Sequence, residues 1–92
     1  MQKEKVIFRF SSSDFSTYLM LQGYEPLYIK VSFDKRHNRL KAFTYFEGVK
    51  ADFIKLQKEY DSNNISVNPK EFSIMRKKLN TNIKNELAKY TD

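Results

Sequence analysis

Leu27-Tyr28-Ile29-Lys30-Val31-Ser32-Phe33, then Asp34-Lys35-Arg36-His37-Asn38-Arg39, then Leu40-Lys41-Ala42-Phe43-Thr44-Tyr45-Phe46: these residues decide the fold. Leu27, Ile29, Val31 and Phe33 alternate with Tyr28, Lys30 and Ser32, the period-two pattern of a strand with two unlike faces. Asp34 to Arg39 is polar and basic and reads as a hairpin loop. Leu40 to Phe46 then returns as an antiparallel strand. One of its faces holds Leu40, Ala42, Thr44 and Phe46, and the other holds Lys41, Phe43 and Tyr45. Both carry aromatics, so this strand alone does not say which side is wet.

Working outward towards the N-terminus, Val6 to Phe10 alternates in the same way and predicts a first strand. Ser11-Ser12-Ser13-Asp14 follows, and short oxygen-bearing side chains cap helix starts. A helix from Asp14 to about Gln22 places Phe15, Tyr18, Leu19 and Gln22 on one face, and Gly23 stands where a left-handed C-cap is wanted. Towards the C-terminus, Gly48 reads as the break that ends the third strand. Val49, Phe53, Leu56 and Tyr60 then form the stripe of a second helix, and Asp61 to Asn64 reads as a loop. Ile65-Ser66-Val67 is short and extended, a candidate fourth strand at an edge. Asn68-Pro69-Lys70-Glu71 combines an N-cap, a first-turn proline and a capping-box glutamate. The helix it opens carries Phe72, Met75, Leu79, Ile83, Leu87 and Tyr90, five steps over 18 residues, a mean of 3.6. A coiled-coil seam would average 3.5, so the stripe fits packing on a globular surface.

The expected fold class is therefore α+β: a small antiparallel or mixed sheet of three to four strands with three helices. The order is β-α-β-β-α-(β)-α, related to the ferredoxin-like arrangement. The first helix links strands that can run parallel through a right-handed crossover. The 92 residues suit one domain, 1–92, and are too few for two. Eight Phe and six Tyr give that domain an aromatic core. With no cysteine there is neither a disulfide framework nor a thiolate metal site. Met1-Gln2-Lys3-Glu4-Lys5 is followed by only Val6-Ile7-Phe8, too short a run for a secretory signal or a membrane span. A cytoplasmic protein without membrane association is expected.

The residues now in hand resemble a small family catalogued as domain of unknown function 5659, whose members are phage, bacterial and archaeal mobile-element proteins. The resemblance covers about residues 6–84. It rests on Phe8 and Phe10 before the Ser-rich turn to Asp14, Leu19, the Gly23-Tyr24 pair, the aromatic strand Phe43 to Phe46, and Val67-Asn68-Pro69 leading to Phe72 and Leu79. It implies the fold and a mobile-element origin, and it carries over no activity and no catalytic residues. The hairpin loop here is more basic than a typical member's.

Seventeen Lys and Arg against eleven Asp and Glu leave a net charge of +6. That excess is spread along the chain, and it permits a nucleic-acid or an acidic protein partner without establishing either. Three places can carry such contacts. Phe43 and Tyr45 sit two apart and face the same way, so an exposed pair can stack two bases, with Lys41, Lys30 and Arg9 on hand for phosphates. Against the base-stacking strand pattern of RNA-recognition domains, Lys41 to Gly48 matches only at Lys41, Phe43 and Tyr45. The competing arrangement has the last helix lying over this face and burying the pair. The loop Lys35, Arg36, Arg39 with Lys41 can grip a phosphate backbone, or can be an ordinary solvated hairpin tip. On the last helix Lys70, Arg76, Lys77, Lys78 and Lys84 form a basic face, which any surface helix can also present.

Catalysis has fewer footholds. His37 is the lone histidine, among positive charges and with no acid evident to orient it. No Asp/Glu cluster has ligand spacing, no base accompanies Ser11–Ser13, and two glycines make no phosphate loop. The expectation is a non-enzymatic binding protein of a phage or mobile element, without cofactor or metal. Its candidate nucleic-acid residues are Lys35, Arg36, Arg39, Lys41, Phe43, Tyr45, Arg76 and Lys77. The alternative is a protein-interaction module, either an inhibitor or modulator of a host protein or a homodimer that buries the third strand.

Overall fold

The computed structural model describes residues 5–62 and 65–90, so the N-terminal Met1–Glu4 reading and the Asn63-Asn64 half of one predicted loop lie outside the described residues. The elements are β1 (Lys5–Phe10), α1 (Ser13–Leu21), β2 (Tyr28–Asp34), β3 (Arg39–Val49), α2 (Lys50–Asp61) and α3 (Pro69–Ala88). The class is α+β, with three helices and a three-stranded antiparallel sheet in the order β1-β3-β2. Because β3 runs antiparallel to both neighbours, β1 and β2 run the same way with β3 between them, and α1 is the link. The candidate fourth strand does not form. Ile65 and Val67 are instead partly buried against the core as loop residues.

The local signals act through identifiable hydrogen bonds. Ser12 Oγ accepts from the Phe15 N–H at 3.1 Å and starts α1. At the other end Gly23 has φ of +100°, Gly23 N–H donates to Met20 O, and Tyr24 N–H donates to Leu19 O. That paired closure satisfies two carbonyls the helix leaves open. Asn68 Oδ1 accepts from the N–H groups of Lys70 and Glu71, with Pro69 in the first turn of α3.

Gly48 corrects one expectation. It does not end β3. It pairs with Val6, and the strand runs on to Val49. A Cβ at Gly48 would lie 2.8 Å from two ring atoms of Phe53 and 3.2 Å from Tyr24. The glycine is there because the first turns of α2 fold back against the strand they have just left, and only a bare backbone fits beneath the ring.

The register sorts the faces. Phe8 lies opposite Phe46, Phe10 and Ile29 flank Thr44, Val31 faces Ala42, and Phe33 faces Leu40. This side holds the core: Phe15, Tyr18, Leu19, Phe46 and Phe53 are buried, with Phe8, Phe10, Leu56 and Tyr60 packed against them. Phe8–Phe53 and Phe10–Phe15 meet edge to face with centroids 5.0 Å apart. Fully burying a side chain such as Leu19 or Leu79 contributes roughly 1.5–3 kcal/mol. Helix α1 lies between α2 and α3 and makes its closest helix contact with α3. Ser16 and Thr17 are fully buried in α1. The α3 stripe points inward as expected at Phe72, Met75, Leu79, Ile83 and Leu87, whereas Tyr90 is exposed beyond the helix end.

Candidate nucleic-acid interface

With the three helices on the Phe46 side, the other face of the sheet is left open. It consists of the odd residues of β1 and β3 and the even residues of β2. Read across the ladder, Arg9, Tyr45 and Tyr28 form one rung, Phe43 and Lys30 the next, then Lys41 with Ser32, and Arg39 with Asp34. Helix α3 therefore does not cover Phe43 and Tyr45, which was the competing arrangement. Both rings are half-buried, and Tyr28 beside them is 42% exposed.

Rings and cations are interleaved on this face. The Tyr28 and Tyr45 rings lie 4.8 Å apart. Lys30 Nζ sits 5.1 Å from the Tyr28 centroid and 5.7 Å from that of Tyr45. The Arg9 guanidinium carbon is 4.5 Å from the Phe43 centroid, and Lys41 Nζ is 5.6 Å from it. Each such contact contributes about 0.5–1 kcal/mol at an exposed site. Together they hold three positive charges over aromatic faces, and among the described residues none of the three is in an ion pair with a carboxylate. Arg9 and Lys30, named from sequence only as supporting charges, are thus part of the surface itself. Tyr28 was missed. Its signal was present, since a hairpin closing between Asp34 and Arg39 puts Tyr28 and Tyr45 on one side.

The structure divides the eight candidate residues. Arg39, Lys41, Phe43 and Tyr45 occupy alternate positions of β3 and share the open face. Lys35 and Arg36 lie in the turn at its far end. Arg76 and Lys77 belong to the helical layer behind the sheet, and Arg76 Nε is 3.1 Å from Asp14 Oδ1, in an ion pair with α1. They are not brought to the surface the other six form.

The hairpin tip is an ordered turn. Asp34 Oδ1 accepts from the Arg36 N–H at 3.0 Å, and Asp34 Oδ2 lies 2.7 Å from His37 Nδ1. Asn38 closes the turn in the left-handed region, with φ of 50°. The expectation that no acid orients His37 is therefore corrected. The His37 hydrogen bond, with help from the Arg36 and His37 backbone N–H groups, holds the Asp34 carboxyl below its ordinary range. A negative charge at the tip tempers the basic loop, so the net positive part of the face is its middle, around Lys30, Lys41 and Arg9.

Among the described residues no group of three or more His, Cys, Asp or Glu is placed to hold a metal ion, and no helix is long and apolar enough to cross a membrane. No family model matches the chain, and no curated protein or solved structure matches it either.

Proposed function

We propose that this protein is a non-enzymatic binder of single-stranded nucleic acid, in keeping with a mobile-element origin, and that the open sheet face is its binding surface. The observation that supports the reading is the interleaving of Arg9, Lys30 and Lys41 with Tyr28, Phe43 and Tyr45 on a face free of helices. The ammonium groups resting on the rings are placed where an incoming base would stack. The base displaces Lys30 and Lys41 from the ring faces, and the freed cations turn to the phosphates on either side. Stacking is indifferent to base identity, and paired bases hide their faces, so single strands are preferred over duplex and sequence preference is slight. A dimer joined face to face through β3 is disfavoured by the same charges, because it would press like cations together.

The test is fluorescence anisotropy with labelled single-stranded and duplex oligonucleotides over a range of salt. Three phosphate contacts on a single strand give a slope of about −2 for log K against log salt. Tighter binding to the single strand with such a slope is expected. No binding to either at low ionic strength retires the proposal.

A further inference from the structure

The outer edge of β2 has no strand beside it among the described residues. This strand is paired with β3 on one side only. Its sequence, Tyr28-Ile29-Lys30-Val31-Ser32-Phe33-Asp34, contains no proline, and Lys30 is its one lysine of the kind natural sheets place along an edge to discourage pairing. It is also unusually apolar for an edge: Phe33 is 55% exposed, and Leu27, just before it, 46%. Beside Ile29, between β2 and the C-terminal half of α3, runs a groove of ≈ 1040 Å³ whose lining includes Met20, Ile29, Met75 and Leu79.

We infer that this edge pairs with β2 of a second copy of the chain, antiparallel about a two-fold axis at Val31. The strand is self-complementary in that register. Val31 is the midpoint of its seven residues, so every one of them finds a partner. A two-fold axis perpendicular to the sheet keeps helix side with helix side, which requires a residue and its partner to share a face. Centring on Val31 meets this condition. On the helix side Ile29 lies opposite Phe33 of the second copy, and that exposed ring then stands at the mouth of the groove, beside its apolar floor of Ile29, Met75 and Leu79. On the open side Lys30 lies opposite Ser32 and Tyr28 opposite Asp34. The only two charged residues of β2 are of opposite sign, and this pairing sets each Lys30 diagonal to Asp34 of the second copy and the two Lys30 diagonal to each other, two attractive contacts against one repulsive. Centring on Lys30 instead would place two ammonium groups face to face. The product is a six-stranded sheet with both open faces on one side. The edge uses backbone groups and the Phe33 side chain, so the inference stands whether or not nucleic acid binds.

The chain has no cysteine, which allows a direct test. Val31→Cys puts the two Cα atoms about 4.5–5.5 Å apart across the axis, within disulfide reach. Mild oxidation should give a covalent dimer in high yield, whereas Val6→Cys on the β1 edge should not. Sedimentation velocity of the unmodified chain should show a concentration-dependent dimer. Phe33→Lys should abolish it at unchanged circular dichroism, since Phe33 is already exposed in the single chain. A chain that stays monomeric to high micromolar concentration leaves the edge for a strand of a foreign protein and overturns the proposal. So does a dimer indifferent to Phe33→Lys, or equal cross-linking from Val6→Cys.

Discussion

Tyr45→Ala tests the proposed surface at its centre. Tyr45 is the middle of the Arg9–Tyr45–Tyr28 rung, and its ring touches both Tyr28, at 4.8 Å, and the Lys30 ammonium, at 5.7 Å. Loss of one base stack costs ~1–3 kcal/mol, a weakening of about 5- to 150-fold at 1.4 kcal/mol per decade. The fold suffers too. The ring pair contributes ~0.5–1.5 kcal/mol and the cation contact ~0.5–1 kcal/mol. For a domain of this size each kcal/mol lowers Tm by about 4–8 °C. The assay is therefore anisotropy titration at a temperature where thermal melts show the variant still folded. Two companions separate the causes. Tyr45→Phe keeps the π face and should bind nearly as the parent does, while Tyr45→Leu keeps apolar bulk without a π face and should bind like Tyr45→Ala. If Tyr45→Leu binds as tightly as Tyr45→Phe, or if Tyr45→Ala is within twofold of the parent while folded, stacking on this ring is not how the protein holds a strand.

Charge removal should separate the two sides of the sheet. Lys41→Gln should reduce the salt slope by about 0.7, and Arg76→Gln with Lys77→Gln should leave affinity and slope unchanged, as read by the same titration. Gly48→Ala should destabilise by ~1–3 kcal/mol through overpacking against Phe53, seen as a lower midpoint in urea, and an unshifted midpoint would contradict the close approach. Burial first, and Glu59 second, push the Tyr18 hydroxyl pKa up, and burial does the same to Tyr60. A raised pKa means that the stability is intact below the ordinary tyrosine value near 10 and is lost as pH climbs through the higher folded value. Tyr18→Phe with Tyr60→Phe should accordingly move the alkaline unfolding midpoint upward in a far-ultraviolet pH titration.

Much of the fold was legible because local chemistry and hydrophobic period agreed. Ser12, Gly23 and Asn68 each stand at a helix end and make the hydrogen bonds their side chain or conformation invites, and the helical stripes that contain Leu79 and Phe53 do enter the core. Two segments, Gly48 and the optional fourth strand, are decided by tertiary packing. Gly48 reads as punctuation, but it admits the ring of Phe53 five residues on, and what decides this is the way α2 folds back on β3, not the residue types in the window. Ile65 and Val67 have the composition of a strand, yet they satisfy their apolar side chains against the core without a ladder partner. The wet face of β3 was ambiguous because aromatics sit on both sides. The deciding fact is the register with β1 and β2, which aligns Phe8, Phe10, Ile29 and Val31 with Thr44, Phe46 and Ala42. The candidate site was legible in type and only partly in membership. Alternation joined Arg39, Lys41, Phe43 and Tyr45, while Tyr28 needed the hairpin register. Arg76 and Lys77 could be excluded only by knowing which side α3 takes.

A mismatch of widths ties the open face to the bare edge. Three strands about 4.8 Å apart span roughly 10 Å between the outer two, whereas three helices side by side at 8–10 Å span nearly 20 Å. One helical layer is therefore more than enough to cover one face. The middle helix, α1, sits over Phe10 and Phe46, and α2 reaches Phe8 through Phe53. Helix α3 is left leaning more on α1 than on β2, and its overhang is the groove beside Ile29. No helix remains for the opposite face, which is free to carry rings and cations, and the strand missing from beneath α3 is what a second β2 would supply. Widening the sheet on that side would seat α3 on strand at last, and would leave the surface of Arg9, Lys30, Phe43 and Tyr45 doubled and still open.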